Sequence, residues 1–148
     1  MSDQIIRIIT TNPYEIVSKE SLEKAKSYLM ENITCEKISI IINEHPEFKD
    51  CGENLQQILC PECNSKISFE KCFELMYYAY ENNFSDLMVE VPCCGKKVSL
   101  NDLEYISACG FSTCAIKILN PHNLIDEELV KKIAEILNTD VRLISAYL

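Results

Sequence analysis

The chain has 148 residues, 47% of them hydrophobic and 25% charged, which suits a folded domain with its own core and excludes a disordered tail. The formal net charge is −9, with 14 Lys and Arg against 23 Asp and Glu; this counts against broad binding to phosphate backbones and favours a basic protein partner. The polar start MSDQ does not read as a signal peptide and no apolar run suffices for a membrane span, so a cytoplasmic protein that contacts no membrane is expected.

The first apolar run, QIIRIIT, has the composition and length of a strand. It leads through NPYEIV into a helical pattern, SKESLEKAKSYLMENI. Ser18 is placed as its N-cap, Val17 and Leu22 as a hydrophobic staple, and Leu22, Ala25 and Leu29 share one face. KISIIIN follows as a strand in which Ile38, Ile40 and Ile42 alternate. The end of the chain repeats the scheme. CAIKIL sets Cys114, Ile116 and Ile118 on one face, and Asp126 caps EELVKKIAEILN. Leu129, Ile133, Ile136 and Leu137 form that helix's apolar stripe, and VRLISAYL closes as a strand. Glu127 and Glu128 fall in the first helical turn, where the dipole favours negative charge.

Two β-α-β units predict an α+β fold, a ferredoxin-like β-α-β…β-α-β sandwich built from residues 1–43 and 112–148. Residues 44–111 are too many for a connecting loop and are predicted to form a zinc-ribbon-like insertion. Its amphipathic helix is capped by Ser68 and presents Phe69, Cys72, Phe73, Met76 and Tyr80 on one face. LMVEV and KKVSL are short strands on either side of PCCG, and Asn101 is placed to cap a helical turn in NDLEYIS. The strands carry isoleucines on both faces: Ile5 and Ile9 oppose Ile6 and Ile8, and Ile41 opposes Ile40. Helices cover one side of such a sheet, so the other side needs the insertion, a dimer partner or a ligand. Phe69, Phe73 and Tyr77 are the expected cover, although Tyr77, Tyr78 and Tyr80 would also suit an interface.

Nine cysteines, an odd number in a chain without an export signal, point to thiol or metal chemistry rather than a disulfide framework. In CPEC, residues 60–63, two thiolates two positions apart can meet one ion while the turn's N–H groups face the sulfurs. PCCG, residues 92–95, reads as a turn in which Gly95 is free to take positive φ. Two such turns facing each other make a tetrahedral four-sulfur site, so Cys60, Cys63, Cys93 and Cys94 are the candidate ligands of a structural Zn2+. A regular second turn would read C-x-x-C-G, but Val91 stands where its first cysteine belongs, and Cys93 adjoins Cys94 instead. Neighbours on an extended chain point opposite ways. Cys51, Cys72 and, more remotely, His45 therefore stay open as the fourth ligand.

Cys60 with Cys63, or Cys93 with Cys94, could instead cycle between thiol and disulfide. NSKIS after CPEC, however, reads as a turn into a strand, not the helix start that a thioredoxin-type pair uses. Cys35, Cys109 and Cys114 read as buried reduced thiols. No serine sits in a nucleophile elbow, and three glycines cannot build a phosphate loop. His45 and His122, each beside a proline, read as surface residues. Lys66, Lys71, Lys96 and Lys97 lack the interleaved aromatics of a nucleic-acid groove.

Taken together, DCGEN, CPEC, VPCCG with SLNDLEY, and GF followed by NP resemble a group of small, uncharacterised bacterial proteins with a zinc-ribbon- or treble-clef-like CPxC…PCCG site, over residues 50–148. The resemblance implies a metal-binding cytosolic protein and carries no activity with it. The function expected is a protein-interaction module with structural zinc and no catalysis. The competing expectation is a thiol- or zinc-dependent enzyme or redox protein using Cys51 or the Cys93–Cys94 pair.

Overall fold

In the computed structural model, which describes residues 3–147, the chain opens with β1 (Gln4–Thr10), α1 (Lys19–Asn32) and β2 (Lys37–Lys49). Then come β3 (Gln57–Leu59), β4 (Lys66–Ile67), α2 (Phe69–Tyr80), β5 (Met88–Glu90), β6 (Lys97–Ser99) and β7 (Glu104–Ile106). It ends with β8 (Gly110–Leu119), α3 (Glu127–Leu137) and β9 (Val141–Tyr147). The result is a mixed α+β protein whose main sheet runs β2-β8-β1-β9, every neighbour antiparallel, so the second β-α-β unit is interleaved with the first. No helix among the described residues is long and apolar enough to cross a membrane.

One face of this sheet is closed by α1 and α3. Ser18 accepts the Ser21 N–H at 3.1 Å and Asp126 accepts the Leu129 N–H at 2.9 Å, each satisfying a donor that the first helical turn leaves free. Leu22, Ala25 and Leu29 of α1 and Ile133 and Leu137 of α3 are buried against Ile6, Ile8, Ile38, Cys114, Ile116 and Ile118. Leu129 and Ile136, expected in the same stripe, pack at its margin.

The opposite face carries Ile9, Phe111, Ala115 and Ile144, and the segment between β2 and β8 covers it within the chain. The cover differs from the one the sequence predicts. Phe69, Phe73 and Tyr77 are 40%, 45% and 61% exposed, and α2 buries Cys72, Met76 and Ala79 instead. Smaller side chains on that stripe let the helix approach. The bulk comes from beyond it, where the Phe84 N–H returns to the Ala79 carbonyl (2.9 Å) and the Phe84 ring meets Phe111 at 5.1 Å. Phe48 meets the same ring at 5.2 Å, and Leu87, Leu100, Leu103 and Tyr105 complete the layer.

β2 also runs further than its apolar pattern suggests. Pairing breaks after Ile42↔Cys114 and resumes at Glu47↔Ser112, ending at Lys49↔Gly110. Pro46, with no N–H to give the ladder, lies in the bulge. Because side chains alternate along a strand, the bulge resets which residues face inward. Ile38 and Ile40 turn toward the helices, whereas Phe48 turns toward the insertion.

Asn101 does not cap a helix as expected. Ser99 accepts the Asn101 N–H (3.2 Å) at the head of a 3-10 turn, Leu100–Asp102, and the chain then enters β7. The buried Asn101 amide instead stitches the insertion to the sheet. It donates to the Thr11 carbonyl at 2.8 Å and accepts the Phe111 N–H at 2.7 Å. Asn101→Ala, which strands both backbone groups, is expected to cost about 1–3 kcal/mol, read by thermal or denaturant unfolding. A cost below about 0.5 kcal/mol would mean that water replaces the amide.

Candidate metal centre

Two hairpins of the insertion hold the cysteine clusters, and they are built alike. In β3–β4, Ile58 pairs with Ile67 and Leu59 with Lys66; in β5–β6, Val89 pairs with Val98 and Glu90 with Lys97. The first turn is closed by the Cys60 N–H to the Ser65 carbonyl (2.9 Å) and the Asn64 N–H to the Cys60 carbonyl (2.9 Å). The second repeats both bonds, Val91 N–H to Lys96 (3.0 Å) and Gly95 N–H to Val91 (2.9 Å). Asn64 (φ 63°) and Gly95 (φ 71°) take the same left-handed conformation, which these two residue types tolerate best. A serine follows each hairpin and caps the next turn, Ser68 for α2 and Ser99 for the 3-10 turn. CPECNSKIS and VPCCGKKVS are therefore one motif used twice.

The comparison accounts for the vicinal pair. Val91 occupies the place of Cys60, and both are buried in the insertion-side core. Cys94 matches Cys63, and Cys93 matches Glu62 at the crown of the turn. The pair lies in a closed turn and not on extended chain, so both sulfurs reach the same side.

The Sγ atoms of Cys60, Cys63, Cys93 and Cys94 all lie within 4.8 Å of one another, with Cys60 and Cys94 3.9 Å apart. Sulfurs bound at about 2.3 Å around a tetrahedral ion sit about 3.8 Å apart, so the cluster fits one metal ion with small adjustment. The group does not include Cys51, Cys72 or His45.

The electrostatics fit the same use. Hydrogen bonds from the Ser65 hydroxyl and N–H hold the Cys63 thiol at about 6, below the usual thiol range. Loss of hydration, the hydrogen bonds that the Cys93 thiol donates to the Cys63 and Cys60 sulfurs, and the negative charge of those sulfurs as thiolates push Cys93 up to about 12. The Lys96 N–H draws Cys94 down, but desolvation and the Cys60 and Cys63 thiols outweigh it and leave it raised. One thiolate forms readily and the next ones resist. A cation at the centre removes that repulsion and lets all four ionise. Across the mouth, Lys96 Nζ meets Glu62 at 3.7 Å, an exposed ion pair of small energetic weight that bridges the two turns.

The remaining cysteines lie elsewhere. Cys72 is buried, and that burial pushes its thiol up to about 11. Cys114 belongs to the helix-side core, and Cys35 is half-buried beside it. His45 sits in the β2 bulge. Cys51 and Cys109 touch each other, a pair that spacing along the chain does not reveal. The doubled motif was within reach of a sequence reading: both copies keep Pro, Cys, a residue able to take positive φ, Lys, a branched apolar residue and Ser in order. No family model matches the chain, and neither a curated protein nor a solved structure does.

Proposed function

We propose that the chain is a non-catalytic protein-interaction module held together by one structural Zn2+ on Cys60, Cys63, Cys93 and Cys94. The observation that carries this reading is the convergence of four sulfurs on one point. Four protein ligands fill a tetrahedral shell and leave no position for the water or substrate that a catalytic zinc needs. An all-thiolate donor set also favours zinc among the common divalent ions. The strand order and the two helices on one face support reading the main sheet as a ferredoxin-like sandwich, with the two cysteine hairpins as its zinc-ribbon-like insertion. The enzymatic alternative, through Cys51 or the Cys93–Cys94 pair, has less support, because Cys51 is buried in the closed fold and Cys93 and Cys94 both belong to the four-sulfur cluster.

The interaction surface in this reading is the outer face of α2. Phe69, Phe73, Tyr77, Tyr78 and Tyr80 are all exposed there, with Glu70 and Glu74 among them. Large aromatics ringed by carboxylates suit a cytoplasmic protein partner that presents lysine or arginine. Replacing Phe73 and Tyr77 together by alanine is expected to leave metal content and melting temperature unchanged. Quantified affinity capture with this variant should recover at least tenfold less of the partner retained by the native chain. Equal capture by both proteins would contradict the proposal.

A further inference from the structure

We propose that Cys51 and Cys109 are a site of reversible thiol oxidation, forming a disulfide that closes the neck of the metal-bearing insertion. The last rung joining β2 to β8 is Lys49↔Gly110, and the two cysteines lie immediately beyond it, at the two points where the chain leaves and re-enters the sheet. The Cys109 thiol donates to the Cys51 sulfur at 3.2 Å, and the two thiols point at the Ser107 carbonyl at 3.6 and 3.5 Å. They are hydrogen-bonded to each other, unlike Cys114, which sits as a small apolar residue in the opposite core. A bond here is independent of the metal ion, since neither residue belongs to the four-sulfur cluster.

The backbone prepares the two sides differently. The Arg142 guanidinium donates to the Cys109 carbonyl at 2.6 Å and anchors that residue to β9. Cys51 instead leads into the short 3-10 turn Gly52–Asn54, where Gly52 has φ +59°. Cys51 and Cys109 are 0% and 1% exposed, so an oxidant reaches them when that turn opens. The oxidant is a small-molecule disulfide. The Cys51 thiolate attacks one of its sulfurs and expels one thiolate. Cys109 then displaces the second, the Cys51–Cys109 bond forms, the protein gives up two protons, and the oxidant leaves as two thiols. Closing the long loop between 51 and 109 restricts the unfolded chain and so raises stability.

The test is to incubate the full chain with oxidised glutathione, quench with an alkylating reagent, and map the peptides without reduction. The peptides of Cys51 and Cys109 are expected to be joined, with a mass two hydrogens below their sum. The melting temperature should rise by about 10 °C and return on adding dithiothreitol. In Cys109→Ala the second displacement has no thiol, so Cys51 should instead carry glutathione and the stability gain should vanish. Recovery of Cys51 and Cys109 singly alkylated, or either joined to another cysteine, would overturn the proposal. The map reads these two residues whether or not an ion occupies the four-sulfur site.

Discussion

Cys60→Ser is expected to release the metal ion, unfold the two cysteine hairpins and lower the melting temperature by 10 °C or more. The magnitude follows from what the site must do. The insertion has two short sheets of two or three residues per strand and a single α-helix, too little regular structure to stand on its own ladder bonds. A structural zinc contributes on the order of 10 kcal/mol to the folding of small units. The change of about 3 kcal/mol or more that loss of one ligand entails for the whole chain corresponds to about 10 °C at this size. Cys60 is the most demanding of the four, since it is buried and its own N–H and carbonyl close the first turn. Cys35→Ser, at a half-buried position outside the cluster, serves as the control and should keep both the ion and the stability. Because the ligands must lose protons to bind, folding with metal releases protons, and stability should fall as pH is lowered. The chelated protein should lack that steep acid loss.

Phe111→Ala is the second large effect, about 3–5 kcal/mol, and it should separate packing from metal binding. Phe111 is fully buried and its ring touches one ring from the sheet, Phe48, and one from the insertion, Phe84. Its removal opens a cavity between the two layers at the point where β8 begins. The hairpins that hold Cys60, Cys63, Cys93 and Cys94 do not depend on this ring, so the variant should bind a full equivalent of metal while unfolding about 10 °C earlier. Loss of the ion from this variant would mean that the hairpins are organised by the sheet and not by their own turns.

The two β-α-β units were legible because each rests on local signals. Ser18 and Asp126 are caps by chemistry, and Leu22, Ala25 and Leu29 mark a face by spacing. What escaped a local reading depended on distant partners. β2 continues through the bulge because Phe48 has Phe111 to meet, a contact that no window around Pro46 contains. On α2 two apolar stripes compete, and the larger one, Phe69 and Phe73, is left outside because Phe84 already fills the space over Phe111. At the cysteines, local spacing marked the candidate ligands, and CPEC and PCCG were both visible. The convergence of the vicinal pair required the closed turn from Val91 to Gly95.

Native mass spectrometry of the chain purified without chelator, with metal analysis and thiol alkylation in parallel, decides whether the four sulfurs hold an ion. One zinc per chain is expected, released as Cys60, Cys63, Cys93 and Cys94 are modified. A chain without metal and with a disulfide among those four cysteines would contradict it.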